Sequence, residues 1–263
     1  MTIVDAVVTV AGKGSRLSDL SFTRILPKPL LPILDKPIVH FIVENLKNIG
    51  IRRIVLSVRN RRELFEEYFG DGRDYGVEID YVESRPLAGL DGIAVSITAA
   101  KDAISSPFMV VLGDDFTVTP SLANLRDTFL EKNALVVEGV VQEPDLARLS
   151  RACSAYVAPD GRLTDLVEKE IHPRAAFRGC GIYVFDPIVF DYIARTKPSP
   201  LRGEVEITDT IRLIISEHPH RVFGTLINGV NININTLEDL IQANMLALMD
   251  AVSHHSFTLK GEL

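Results

Sequence analysis

The sequence predicts an α/β fold, a doubly wound, mostly parallel mixed sheet with a small antiparallel extension. Three observations predict it. Strand-length apolar runs alternate with helix-period segments through residues 1–132, the order that gives a parallel sheet with helices on both faces. The run over 3–10, broken only by Asp5 and Thr9, reads as a strand buried on both faces. Between 153 and 185 the strands shorten and the turn Pro159-Asp160-Gly161 intervenes, which points to antiparallel pairing.

The elements follow in order. After the first strand the chain turns at Gly12 and Gly14. Residues 38–49 place Val39, Ile42, Val43 and Leu46 on one helical face, and Gly50 is a natural stop. A strand at 51–58, a helix at 62–69, a strand at 77–82, a helix at 92–103 and a strand at 108–112 continue the alternation. Beyond Pro120 a helix to about 132 precedes a strand at 134–141. Short strands at 153–158, 162–169 and 179–185 are expected to form a second lobe over the sheet edge. Helices at 187–195, 207–217 and 236–251, with a strand at 221–228, complete the pattern, and 197–203 reads as a loop. There is no internal repeat and no low-complexity segment.

Composition narrows the classes of function. With 263 residues, 46% hydrophobic and 24% charged, the chain can bury one sizeable core. A formal charge of -7 argues against a nucleic-acid surface, which is usually basic. A polyanionic ligand must then be held by a local cluster of cations. Two cysteines, Cys153 and Cys180, are too few for a disulfide framework and lack metal-ligand spacing. No signal pattern and no apolar run of about 18 residues appears, so no membrane association is expected and the location is expected to be cytoplasmic. The six histidines form no catalytic or metal set, and His40, in an apolar helix, reads as an interior residue.

Chemistry concentrates at strand ends. The stretch from Val8 through Ala11, Gly12, Lys13, Gly14, Ser15 and Arg16 to Leu17 joins a buried strand to a glycine-opened loop carrying fixed charge. Glycines let backbone N–H groups approach an anion closely, and Arg16 can grip two phosphate oxygens at once. Two familiar phosphate motifs fail here. A Walker loop needs Gly where Val7 stands, and a dinucleotide fingerprint needs a third Gly where Leu17 stands. Gly113-Asp114-Asp115 falls where another buried strand ends, as does Glu168-Lys169. Taken alone, the first could be a capped turn and the second a solvated ion pair. Asn231, Asn233 and Asn235 recur at period two, so in an extended segment their side chains face one way. They could wall a cleft or form a polar edge.

The longer pattern is more specific. Ala-Gly-x-Gly-Ser-Arg-Leu, then Pro27-Lys28-Pro29-Leu30-Leu31-Pro32 and Asp35-Lys36-Pro37-Ile38, resembles the opening signature of the sugar-1-phosphate nucleotidylyltransferases. It looks most like the UTP:glucose-1-phosphate uridylyltransferase branch, with the glucose-1-phosphate thymidylyltransferases close by. The likeness is dense over 3–50 and returns in pieces to about 244. It implies a Rossmann-like core with a sugar-binding antiparallel extension. One domain over 1–252 is expected, with a nucleotide-binding part at about 1–142, a sugar-phosphate-binding part at about 143–235, a helix at about 236–252 and a tail at 253–263.

The resemblance also implies roles. Ala11, Gly12, Lys13 and Gly14 would bind the nucleotide together with Gly92, and Arg16 would meet the departing end of the triphosphate. Lys28 would contact the reacting phosphates, and Asp114 would hold Mg²⁺. Glu168, Gly181 and Glu204 would face the sugar, and Lys169 its phosphate. Three positions depart from the pattern: Asn233 stands where a second metal-binding aspartate is usual, Arg85 where a base-reading Gln is usual, and Ala176 where a sugar-facing Asn is usual. The implied reaction joins a nucleoside triphosphate, UTP or dTTP favoured, to a sugar 1-phosphate, and the implied assembly is a homodimer or homotetramer. The departures keep a second reading open, a catalytically weakened relative that binds nucleotide or NDP-sugar as a regulatory subunit.

Overall fold

The computed structural model describes residues 3–11, 26–86, 91–200 and 203–254. The opening run forms β1 (Asp5–Thr9), whose Ala6, Val7 and Val8 are fully buried. Each buried valine contributes roughly 2 kcal/mol by leaving water. Past Pro27 the chain makes a 3-10 turn at Lys28–Leu30 and a short hairpin, β2 (Pro32–Ile33) and β3 (Lys36–Pro37). Helix α1 (Ile38–Asn48) buries Val39, Ile42, Val43 and Leu46 and gives way at Gly50, whose φ is 94°. That conformation suits glycine because it has no Cβ. His40 lies inside this helix's packing, with Nδ1 3.0 Å from the Tyr68 hydroxyl.

Strand β4 (Arg53–Val58), helix α2 (Arg62–Phe69), strand β5 (Glu78–Glu83), helix α3 (Ile93–Thr98) and strand β6 (Phe108–Leu112) maintain the alternation. The chain continues through β7 (Asp115–Val118), α4 (Ala123–Glu131), β8 (Val136–Gln142), α5 (Leu146–Leu149), β9 (Cys153–Val157), β10 (Leu163–Glu168) and β11 (Phe177–Phe185). It ends with α6 (Val189–Arg195), α7 (Ile207–Glu217), β12 (Val222–Leu226), β13 (Val230–Asn233) and α8 (Leu237–His254).

The described strands build one nine-stranded sheet in the order β10-β9-β11-β6-β1-β4-β5, with β8 against β11 and β12 against β8. β1 runs parallel to both β4 and β6, and β4 parallel to β5. The chain leaves β1 toward β4 and β5 on one side and returns to β6 on the other. Between β1 and β6 the strand order therefore reverses, which is where ligands bind in open α/β sheets. Beyond β6 the pairing turns antiparallel, except that β12 runs parallel to β8. β11 meets β9 at Phe177 and Arg178 but β6 from Ile182 to Phe185, so the sheet forks near Gly181. A register shift against β8 between Gly179 and Tyr183 marks the same place.

Three expectations needed correction. The antiparallel strands do not form a lobe over the sheet edge but continue its hydrogen bonding through β11. The helix expected over 92–103 ends at Thr98, and a 3-10 turn at Lys101–Ala103 replaces its last part. A separate two-stranded ladder, β7 with β13, follows Asp114, where only a turn was expected. No helix among the described residues is long and apolar enough to cross a membrane.

Candidate active site

A cavity of about 400 Å³ opens in the fork and at the switch point. That volume suits a small-molecule ligand. One wall begins at Lys28. Pro27 and Pro29 fix the backbone on either side of it, since proline locks φ. The side chain is 8% exposed, and its Nζ lies 2.6 Å from Asp114 Oδ2 and 3.2 Å from Asn235 Oδ1. Asp114 is delivered by Gly113, where a Cβ would stand 2.7 Å from the Thr9 carbonyl oxygen. Only a bare backbone lets the ends of β1 and β6 approach so closely.

Asp115 is the first residue of β7, buried, and opposite Asn233 in the β7–β13 ladder. Asn233 Nδ2 donates to Asp115 Oδ1 at 2.8 Å and, longer, to Asp114 Oδ1 at 3.4 Å. Burial first, and the adjacent Asp114 charge second, push the Asp115 carboxyl well above the usual carboxylate range. Asp114 in turn pairs with Lys28. A Cβ at Gly181 would collide with Asp115 Oδ2. The space expected there for a hexose ring is thus shared with this carboxyl group.

Of the asparagines at period two, Asn233 and Asn235 line the cavity and Asn231 is buried behind it. Asn231 accepts from Arg178 through Oδ1 at 3.0 Å and through its carbonyl at 3.1 Å. Asn233 meets the two aspartates. Asn235 accepts from Lys28 and donates to Asn233 Oδ1. Asp239 Oδ2 holds the Asn235 and Thr236 N–H groups at 2.9 and 2.8 Å, fixing this segment to the start of α8.

Glu168 ends β10 and Lys169 follows it, and both line the cavity. Lys169 has φ 50° and donates its N–H to the Ala152 carbonyl at 2.8 Å. A lysine in the left-handed region costs about 1 kcal/mol or more, and such strain gathers at functional sites. Glu204 lines the same cleft, and its neighbour Val205 binds back across it, N–H to the Asp91 carbonyl at 2.8 Å.

Of the residues chosen from sequence, Ala11, Lys28, Gly92, Asp114, Glu168, Lys169, Gly181, Glu204 and Asn233 all line this one cavity. Gly12, Lys13, Gly14 and Arg16 lie outside the described residues. Arg85 does not join the cavity: its side chain is 77% exposed and pairs with Glu83 at 2.6 Å. Sequence reasoning missed Arg59, Glu138 and Arg178, which also line it. Arg59 binds Asp91 at 2.6 Å with its guanidinium mostly covered. Its place just past β4 was the available signal, because the neighbouring strands β1 and β6 also deliver their cleft residues just past their ends.

A doubly wound sheet with carboxylates and lysines converging at its switch point defines an α/β protein with a charged cleft where such folds bind ligands. Comparison with known proteins names the group: the chain belongs to the nucleotidyl transferase family, whose model matches residues 5–248. The low-salt glycan biosynthesis nucleotidyltransferase Agl11 of Haloferax volcanii is 34% identical over 93% of this chain, which spans 66% of that protein's length. The UTP–glucose-1-phosphate uridylyltransferase AglF of Haloferax volcanii is 30% identical over 91% of this chain and 95% of its own. A UDP-glucose pyrophosphorylase solved with UDP-glucose shares the fold, with TM-score 0.85 at 22% identity over 95% of this chain and 100% of that one.

Proposed function

We propose that the protein transfers a nucleotidyl group from a nucleoside triphosphate, UTP or dTTP favoured, to a sugar 1-phosphate, giving an NDP-sugar and pyrophosphate. The observation that carries this reading is that the Lys28–Asp114 pair and Glu168 with Lys169, from distant parts of the sequence, line one cavity. Two anions can be held face to face there. The 1-phosphate oxygen attacks the α-phosphorus in line, the bond to the bridging oxygen breaks, and pyrophosphate leaves. A phosphate monoester has a second pKa of about 6, so the nucleophile is already ionised and needs no general base. The protein's work is positioning and charge compensation.

In this assignment Lys28 contacts the reacting phosphates and Lys169 the sugar phosphate, while Glu168 and Glu204 accept from sugar hydroxyls. Ala11 and Gly92 border the nucleotide, with Gly12, Lys13 and Gly14 cradling its phosphates and Arg16 at the departing end. Arg85 takes no part, since it stands off the cavity. Mg²⁺ belongs to the same proposal, and the donors fit it. Asp114 offers carboxylate oxygen, which a hard cation prefers alongside phosphate oxygens and water. Among the described residues no three His, Cys, Asp or Glu side chains gather into a metal cage, so substrate must supply part of the coordination. Asn233 is the lesser ligand, because Asn235 already engages its carbonyl oxygen. Bound there, the cation would neutralise phosphate charge.

The location proposed is cytoplasmic, and the assembly a homodimer or homotetramer, which light scattering of the purified protein would report. The deciding assay is pyrophosphate release from a panel of nucleoside triphosphates, each with glucose, galactose, mannose or N-acetylglucosamine 1-phosphate and Mg²⁺. Release with UTP or dTTP and at least one sugar is the expected result. Tight nucleotide binding by calorimetry with no release from any pair would overturn the reading in favour of a regulatory subunit.

A further inference from the structure

Glu138 sits in the middle of β8, fully buried, and lines the cavity beside Glu168. Neither of its carboxyl oxygens has a hydrogen-bond partner among the described residues. Buried polar groups are almost always paired, and one left open at the floor of a ligand site calls for a ligand. Its surroundings are shaped for it. A Cβ at Gly179 would collide with Glu138 Oε1, and that same position lies 3.6 Å from Cys153 Cβ. The carboxyl group therefore lies over bare backbone on β11, where the sheet forks. Tyr183 is its register partner across the β8–β11 ladder.

Burial first, and the Glu168 charge second, push the Glu138 carboxyl up to about 8. At neutral pH it is a carboxylic acid, which donates as well as accepts. The neighbouring Cys153 thiol is pushed up too, by burial and then by Glu138 and Glu168. The floor of the cavity thus carries neutral donors next to the charged acceptor Glu168. A bare phosphate would gain little from this end, whereas a hydroxyl needs both a donor and an acceptor.

We propose that Glu138 is a sugar-selecting residue, donating a hydrogen bond to one ring hydroxyl of a hexose 1-phosphate and accepting one from it. This rests on the nucleotidyl-transfer reading above. It names the substrate class more narrowly: a hexose 1-phosphate that keeps the hydroxyl facing the β8–β11 floor. A site built around a hydroxyl rejects the analogue that lacks it, because its own polar group is then stranded.

The test measures kcat/KM for glucose, galactose, mannose and N-acetylglucosamine 1-phosphates and for the monodeoxyglucose 1-phosphates, in the parent, E138A and E138Q. The parent should disfavour one deoxy sugar or epimer by about 100-fold or more. E138A should shrink that ratio to a few-fold through KM for the sugar phosphate, with KM for the triphosphate unmoved, and E138Q, which keeps a donor, should retain most of the selectivity. Identical selectivity in parent, E138A and E138Q overturns the assignment of Glu138 alone. No pyrophosphate from the parent with any pair overturns the underlying reading with it. E138M fills the same space without a carboxyl group and should shrink the ratio as E138A does, so it keeps the test open if E138A fails to fold; unchanged selectivity in E138M overturns the assignment.

Discussion

Lys28 does two jobs that a single substitution separates from the rest of the site. Its ammonium is nearly covered and neutralises Asp114 at 2.6 Å, and in the proposed reaction the same charge faces the phosphates. Lys28→Ala removes a stabilising cation and leaves Asp114 without its partner. Turnover should fall roughly 100-fold or more, by analogy with deleting one preorganised donor, while far-UV dichroism stays unchanged. Pyrophosphate release at saturating substrate checks it, and undiminished turnover would remove Lys28 from the reaction. The sequence singled this residue out through the Pro27–Pro32 motif, and the fold brings it to the cavity. Arg85 stands off the cavity for a physical reason. Glu83 lies two residues away on the same face of an extended chain, so the arginine is satisfied by its neighbour and stays at the surface.

At the scale of elements, the strongly apolar strands were legible and the polar ladder was not. β1, β6 and β8 announce themselves through runs of buried valine, and the ends of β1 and β6 bring Ala11 and Asp114 to the cavity. β13 is four residues of alternating asparagine and apolar character; its period of two suggested an extended segment, but its pairing with β7 could not be read from so short and polar a run. The ladder also places a carboxyl, Asp115, directly opposite Asn233. Within β8, one glutamate in an apolar run makes the sheet sensitive to pH. Glu138 keeps its proton to about pH 8 when folded, against a usual value of 4.5. Between those values the folded chain holds a proton that the unfolded chain releases, so stability is lost as pH rises through this window. The groups around Glu138 are Glu168 from β10, Cys153 from β9, and Cys180 and Tyr183 from β11. Glu138→Gln should flatten the slope by a few kcal/mol across the window, on the scale of about 1.4 kcal/mol per pH unit, and should raise the melting temperature at pH 8. Urea denaturation of both proteins at pH 5 and 8 reads this directly. Parallel losses in parent and variant would show that Glu138 titrates normally.

At the scale of the whole molecule, the cavity is a joint between the parallel half of the sheet and the antiparallel half beyond β6. Outside the sheet the two are tied at the cavity's rim by the bond from Val205 N–H to the Asp91 carbonyl. Gly92 makes that tie possible. Its φ of 124° and ψ of 174° belong to a region that essentially only glycine occupies. A Cβ there would lie 2.6 Å from the Val205 carbonyl oxygen and 3.1 Å from its nitrogen. Gly92→Ala therefore meets both backbone strain and a collision with main chain that no rotamer change relieves. A loss of about 2 kcal/mol or more is expected from the strain alone. Because the collision pushes the segment carrying Glu204 away from the start of α3, the Michaelis constants for triphosphate and sugar phosphate should rise together. That joint response distinguishes a structural tie from a contact to one substrate. Thermal unfolding and two-substrate kinetics on Gly92→Ala provide both readings, and a rise confined to the triphosphate would show that Gly92 borders the nucleotide without coupling the halves.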